Sequence, residues 1–223
     1  MDITALFKIS YGLFIIGAKD GSRFAGCVVN TVTQSTAKPA TVTVCVNKDN
    51  YTNACIKNSN EFSVSILSEF TKESTIGIFG FSSSKDRDKF DEVPHGFTPS
   101  GLPYINEGVT GYLQCKVIGA VENYTHTIFI AEVTEAENLY SEPPMTYAYY
   151  RKVIKGKPAK NAPTYVEETA IAAAAAAAPA SETYACGICG YEYHGGKKQF
   201  EQLPPDFLCP VCRASKSMFG IIK

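Results

Sequence analysis

The chain has 223 residues, 45% of them hydrophobic, and a net charge of −1. That length suits one large domain or two smaller ones with a buried core, and the balanced charge, with no basic block, excludes the electrostatic footprint of a nucleic-acid binder. The apolar stretch near the N-terminus, Leu13 to Ile16, is too short to span a membrane and no small-residue cleavage pattern follows it, so the expectation is a soluble, cytoplasmic protein with no membrane partner.

In chain order, Leu13 to Ile16 reads as a strand. "GCVVNTVTQST" and "ATVTVCVNK" are Val- and Thr-rich strand sequences separated by turn residues. Within the first, "NTVTQST" (30–36) reads as a loop rich in hydroxyl and amide groups. "NYTNACIKNSN" predicts a short helix capped by Asn50 or Thr52. "EFSVSILSE" alternates as a strand does, and "SKDRDKFDEV" predicts a second, more polar helix. "GYLQCKVIGAVEN" and "HTIFIAEVTEAE" predict two strands joined through "ENYT". Several short strands with few helices point to a barrel or sandwich.

From "YYRKVIKGKPAKNAPTYVEE" the chain turns polar, basic and proline-bearing, and an alanine run follows, Ala172 to Ala178 being its uninterrupted part before Pro179 and Ser181. Alanine favours helix but offers no face worth burying, so this stretch predicts a spacer. The expected organisation is a barrel over 1–155, a linker over 156–182 and a small module over 183–223.

The cysteines divide the same way. Cys27, Cys45, Cys55 and Cys115 are scattered and read as small buried hydrophobes. Cys186-Gly-Ile-Cys189 and Cys209-Pro-Val-Cys212 instead form two CxxC turns. Each turn presents two thiolates to one ion, and two turns complete a tetrahedron. Gly190 suits the positive φ that such a turn wants, leaving backbone N–H groups to point at sulfur. Two disulfides are disfavoured in a cytosolic chain. Zinc and iron both suit four thiolates. Tyr184, Tyr191, Tyr193, Phe200, Phe207 and Phe219 supply an aromatic shell that excludes water, and equally a core that so small a module needs.

The N-terminal half carries a weaker constellation. The polar stretch 30–36 follows the apolar run Cys27 to Val29, and "NKDNYT" (47–52) places Lys48 just before a helix start, a ready site for phosphate. No G-x-G-x-x-G stands in a βαβ context, so a Rossmann nucleotide domain is not expected.

"YACGICGYEY…FEQLPPDFLCPVCRASKSMF" closely resembles rubredoxin, with both CxxC turns, the "LPPDF" approach, and Lys216 and Phe219 closing the motif. The segment between the cysteine pairs is shorter than usual, Phe207 stands where tryptophan is usual, and Arg213 stands where glycine is usual. The second turn must therefore hold a positive φ at a cost or adopt another geometry. The resemblance implies one iron held by Cys186, Cys189, Cys209 and Cys212.

"GLFIIGAKDGSRFAGCVVNTVTQSTAKPATVTVCVNKDNYTNACIKNSNEFSVSILSE", with "FGFSSSKDRDKF", "THTIFIAEV" and "PMTYAYYR" in order after it, looks like the flavin reductase family with its FMN-binding split β-barrel. That resemblance implies FMN. Asn30, Thr31, Val32 and Gln34 would lie along the isoalloxazine ring. Asn47, Lys48, Asn50, Tyr51 and Thr52 would surround the phosphate, while Phe81, Ser83 and Ser84 close over the flavin. His126 would stand where a nicotinamide arrives, as the catalytic residue. It also implies a homodimer whose second subunit completes the pocket. The loop "TQSTAKPA" departs from the family pattern in having a single proline.

The two halves together resemble the high-molecular-weight rubredoxins. The implied function is electron transfer from NAD(P)H through FMN to iron and on to an acceptor protein such as a flavodiiron reductase of nitric oxide or dioxygen. Two other readings remain open from the residues alone: a flavin reductase with a structural zinc knuckle, and a non-catalytic zinc-ribbon binding module.

Overall fold

The computed structural model describes residues 3–159, 161–165, 183–193 and 196–222. The chain divides into two compact units, Met1–Glu167 and Glu168–Lys223. The alanine run 172–178, with Pro179 and Ser181, lies outside the described residues. Among the described residues no helix is long and apolar enough to cross a membrane.

The first unit is mainly β. In chain order it contains β1 (Phe14–Asp20), β2 (Arg23–Val29), β3 (Val32–Ala37), β4 (Ala40–Asn47), α1 (Tyr51–Ser59), β5 (Glu61–Leu67), α2 (Glu73–Phe81), β6 (His95–Phe97), β7 (Pro103–Ile105), β8 (Val109–Asn123), β9 (His126–Asn138) and α3 (Tyr147–Lys152). Seven strands form one sheet in the order β2-β1-β5-β8-β9-β4-β3, and β6 pairs with β7 in a separate ribbon. The sheet's pairings are all antiparallel. Its two edges, β2 and β3, are consecutive in the chain and joined by only Asn30 and Thr31. The sheet must therefore curl until its edges meet, giving a barrel split between β2 and β3.

Strand alternation sorts side chains between two cores. Ile16 and Ala18 of β1 face the barrel interior with Cys27, Val44, Phe62 and Phe129. Leu13 and Ile15 face the other way, into a second core with Leu67, Ile76, Phe79, Phe90 and Tyr150. Being covered on both sides, β1 reads as a continuous apolar run rather than an alternating one.

Two expectations fail here, each for a physical reason, and one helix was not anticipated. Residues 30–36 are not a loop: Val32 to Ala37 is the edge strand β3, paired with β4 and exposed at every residue after Val32. Its Thr and Val content reflects strand propensity, and its polar side chains reflect an edge facing solvent. "SKDRDKFDEV" is not a helix but a series of turns ending in one 3₁₀ turn at Phe90–Glu92. Its side chains are bonded instead to β2 and to their own backbone: Ser84 Oγ donates to Gly26 O, Asp88 Oδ2 accepts from Phe24 N, and Asp88 Oδ1 accepts from Phe90 N. Conversely, "ESTIGIFGF", with two glycines and β-branched and aromatic residues, has poor helix propensity yet forms α2, because Thr75, Ile76 and Phe79 are buried by the second core.

In the second unit, β10 (Thr183–Cys186), β11 (Glu192–Tyr193) and β12 (Phe219–Ile222) form a three-stranded sheet in the order β11-β10-β12, with α4 (Gly196–Gln202) between the second and third strands in sequence. Phe200 is its buried centre, stacked on Tyr184 at 4.1 Å between ring centroids and flanked by Phe219 at 5.2 Å and Tyr193 at 5.3 Å. Lys216 secures the unit by donating to Glu201 O and Leu203 O at 3.0 and 2.6 Å, its ammonium 5.5 Å from the Phe200 ring.

Phe62 is fully buried in the barrel core. Phe62→Ala is expected to cost about 3–5 kcal/mol of first-unit stability, measured by urea denaturation followed at far-UV circular dichroism.

Candidate functional site

In the second unit the two CxxC turns bring Cys186, Cys189, Cys209 and Cys212 together, all four sulfurs within 4.8 Å of one another. Cys186 Sγ lies 3.6 Å from Cys212 Sγ, and Cys189 Sγ lies 3.6 Å from Cys209 Sγ. These separations are far beyond a disulfide. A tetrahedron with metal–sulfur bonds of about 2.3 Å has edges of about 3.8 Å, so the donor set fits one tetrahedral ion.

The turns also prepare the charge. Gly190 has φ 74° and donates its N–H to Cys186 O at 2.8 Å; Arg213 has φ 64° and donates to Cys209 O at 2.9 Å. The two turns thus share one geometry, and Arg213 adopts the conformation usual for glycine. Backbone N–H groups of Cys189 and Ile188 hold the Cys186 thiol below its ordinary range. Burial pushes Cys209 up, but the N–H groups of Cys212 and Val211 outweigh it and bring the thiol to about 7. At Cys212 the N–H of Ala214 favours the anion, yet the surrounding sulfurs push the thiol up to about 12. Four thiolates in this space therefore need a cation among them.

In the first unit the expected residues fall into groups around the split. Asn30 lies at the seam, 4% exposed; its Nδ2 donates to Thr164 Oγ1 at 2.9 Å, while its buried Oδ1 has no hydrogen-bond partner. Thr31, beside it in the connection, donates its hydroxyl to Cys45 O of β4 at 3.2 Å. Val32 packs against the barrel core, and Gln34 is exposed, donating to Thr36 O on its own strand at 3.3 Å.

A second group surrounds β2. Asn50 caps α1, its Oδ1 accepting from Thr52 N at 3.1 Å. The Tyr51 hydroxyl donates to Asp20, which raises the phenol's pKa, and the Arg23 guanidinium stands 5.9 Å from the Tyr51 ring. Thr52 turns inward, fully buried, its hydroxyl facing the Cys27 thiol. From the other side come Phe81, exposed at the end of α2, and Ser83, exposed with its Oγ accepting from Lys85 N. Ser84 is buried; its hydroxyl both donates to Gly26 O and accepts from Gly26 N, so it is committed to β2.

The third group stands at the end of β4. Asn47 pairs across the sheet with His126, and its Oδ1 accepts from Asp49 N. Lys48 is bridged to Glu122 at 2.9 Å, and Lys57 bridges the same carboxylate at 2.8 Å. Lys57 and Lys48 together hold the Glu122 carboxyl down at about 2. His126 Nε2 faces Asn161 O at 3.2 Å and Nδ1 faces Thr125 Oγ1 at 2.8 Å. Only the Nε2–H tautomer satisfies both contacts of the neutral ring.

Sequence reasoning missed two features. Lys89 is 1% exposed, its ammonium donating to Gly26 O and Phe79 O, with burial lowering its pKa to about 8. Nothing in "SKDRDKFDEV" distinguishes this lysine from its exposed neighbours. The other is the segment 161–165, expected to be linker, which reaches both His126 and Asn30.

A flavin fits the seam on one observation above all. The Asn30 carboxamide oxygen is a buried acceptor without a donor, and a flavin ring carries an N–H between two carbonyl oxygens. The residues that would hold the ring and the phosphate stand at the connection between β2 and β3, beside β2, and at the end of β4.

Comparison with known proteins agrees with this geometry. Residues 6–157 match the family model of the flavin reductase like domain. A solved NADH:FAD oxidoreductase from Streptomyces globisporus superposes with a TM-score of 0.58 at 26% identity, covering 64% of this chain and 84% of that one. A ferric-chelate reductase (NAD(P)H) from Archaeoglobus fulgidus is 38% identical over 75% of this chain and 99% of its own length. Fold and site thus define an oxidoreductase with a flavin reductase-like split barrel and a rubredoxin-type metal knuckle. A high molecular weight rubredoxin from Moorella thermoacetica is 40% identical over 98% of this chain and 99% of its own. The chain belongs to the high molecular weight rubredoxins, within the flavin reductase-like family.

Arg213 gives the knuckle a direct test. A side chain in the left-handed region costs about 1–2 kcal/mol, partly offset by the greater unfolded-state freedom of glycine. Arg213→Gly is expected to stabilise the second unit by about 0.5–1 kcal/mol, read as a higher temperature of metal release.

Proposed function

We propose that this protein carries electrons from NAD(P)H through FMN to a single iron held by Cys186, Cys189, Cys209 and Cys212, and from there to an acceptor protein such as a flavodiiron reductase of nitric oxide or dioxygen. The observation that carries the reading is the presence, in one chain, of a flavin reductase-like split barrel and a compact four-thiolate cluster, with a high molecular weight rubredoxin similar along nearly the whole length. Bound FMN exchanges electron pairs with a nicotinamide and single electrons with iron, which suits it to join a hydride donor to a one-electron carrier.

The chain's own residues do the rest. Asn30, Thr31, Val32 and Gln34 lie along the ring. Asn47, Lys48, Asn50, Tyr51 and Thr52 form the phosphate side, Thr52 by fixing the start of α1, since its N–H is capped by Asn50 and its hydroxyl faces the core. Phe81, Ser83 and Ser84 close the flavin from the α2 side, Ser84 by backbone. His126 receives the nicotinamide, its Nε2–H exchanging Asn161 O for the incoming group. Four thiolates with N–H groups turned toward them hold iron in a site that needs little rearrangement when its charge changes.

The working division is a barrel over 1–155, a linker over 156–182 whose first residues are bonded to the barrel, and a rubredoxin-like module over 183–223. A homodimer completing the flavin pocket is supported by Ile118, Val121 and Tyr124, exposed on the distal half of the β8–β9 hairpin. A reducing cytoplasm suits eight cysteines that are all free thiols.

The absorption spectrum of the purified protein decides among metals and cofactors: red ferric tetrathiolate with yellow flavin supports the proposal, and a colourless protein holding zinc overturns it. Cys189→Ser is expected to abolish the ferric absorbance and leave the flavin bands in place; loss of both together would show that the sites are not independent. Lys48→Ala is expected to weaken FMN by about ten- to a hundredfold, the worth of one charged hydrogen bond, and riboflavin hardly at all. Fluorescence titration of the two ligands reads the difference.

A further inference from the structure

Residues 153–159 and 161–165 follow α3 and are tied down at several points. Tyr150, itself buried, donates its hydroxyl to Lys157 O at 3.1 Å and accepts Gly156 N at its carbonyl at 3.0 Å, while Arg151 donates to Gly156 O at 2.8 Å. Gly156 lies flat against the Tyr150 ring, where a Cβ would collide with the aromatic carbons. Two turns follow, closed by Ala162 N to Ala159 O and Tyr165 N to Ala162 O. They deliver Asn161 O to His126 and the Thr164 hydroxyl to Asn30. The segment is thus a strap anchored on α3 and laid along the seam.

At its end stands a directed chain of hydrogen bonds. Asn30 Nδ2 donates to Thr164 Oγ1 at 2.9 Å, and Thr164 Oγ1 donates to Tyr147 Oη at 3.2 Å. Because Thr164 spends its proton on Tyr147, it faces Asn30 as an acceptor. That sets which way the carboxamide is turned: the amino end is taken, and Oδ1 remains as an acceptor, buried and without a partner. Asn30 is 4% exposed, so solvent does not serve that oxygen.

We propose that Thr164 is a positioning residue of the flavin site: through the strap it holds the Asn30 carboxamide with Oδ1 as the acceptor for the imide N–H of the flavin ring. The inference rests on the reading that a flavin lies along residues 30–34. It extends the site past the barrel strands to a segment whose composition reads as linker. Without the Thr164 acceptor the carboxamide is free to turn over and offer its amino end, which repels the ring N–H.

The test uses the full chain, freed of flavin, and two probes: FMN and 3-methyl-FMN, in which the imide N–H is replaced by a methyl group. Wild type is expected to bind FMN at least tenfold more tightly than the methylated ring. Thr164→Val is expected to weaken FMN about three- to tenfold, the worth of one hydrogen bond, and to shrink the preference for FMN over the methylated ring by the same factor. Thr164→Ser is expected to restore both, and the melting temperature of the flavin-free protein is expected to stay near that of wild type. Equal weakening of both probes, or an unchanged preference, would overturn the role of Thr164 while leaving the flavin site intact. Failure of wild type to bind FMN would overturn the flavin reading itself. Should Thr164→Val not fold, Tyr147→Phe removes the acceptor that orients the Thr164 hydroxyl, and the same ratio of affinities decides.

Discussion

The first unit depends on a covalent constraint rather than on any one contact. Its sheet begins at β2 and ends at β3, and only Asn30 and Thr31 separate those strands in sequence. The three steps from Val29 to Val32 span at most about 11 Å, so the edges of a seven-stranded sheet must come together. The curl gives Cys27, Val44 and Phe129 a common interior. It also leaves a split where backbone groups are not consumed by pairing. Asn30 sits at that split because the connection does, and its orphaned oxygen follows from being buried where no strand partner exists. Site and closure share one cause.

The second unit solves a different problem. It is too small to rely on a large core, and it compensates with an aromatic cluster centred on Phe200 and with four sulfurs that repel one another until a cation joins them. The strain at Arg213 belongs to the same economy. The left-handed turn is needed to aim N–H groups at the Cys209 and Cys212 sulfurs, and the geometry is kept even with a side chain that disfavours it.

Much of this was legible in the sequence. The CxxC spacing fixed the metal cluster to the residue, since four thiolates on two short turns have few other uses. The α1 cap at Asn50 was readable because capping is local chemistry. What escaped depended on tertiary context. The hydroxyl-rich stretch after Asn30 read as a loop because exposed edge strands and loops share composition. The residues 84–93 read as a helix because their charge pattern does not reveal that Ser84, Asp88 and Lys89 are bonded to β2. Helix α2 was missed because burial, not propensity, forms it. Among the site residues, Thr52 and Ser84 had suitable chemistry on paper, yet their hydroxyls turn inward. Residues 161–165 look like spacer because Pro, Asn and Thr mark flexible segments as readily as they mark a strap.

The order in which strands pair has a consequence for how the site comes into being. Neighbours in sequence form the hairpins β1–β2, β3–β4 and β8–β9, but β4 must find β9 across most of the unit, with Asn47 opposite His126. Distant pairings of this kind carry the largest loop-closure entropy and set the folding rate. The seam is complete only when that registration is made, so a chain with its hairpins formed but its barrel open has Asn30 and His126 in separate places. A flavin held at Asn30 in a closed seam would recognise the finished barrel alone, and its binding free energy would then count against unfolding. Cofactor supply during synthesis would therefore set how much of the barrel survives in the cell, quite apart from the electrons it carries.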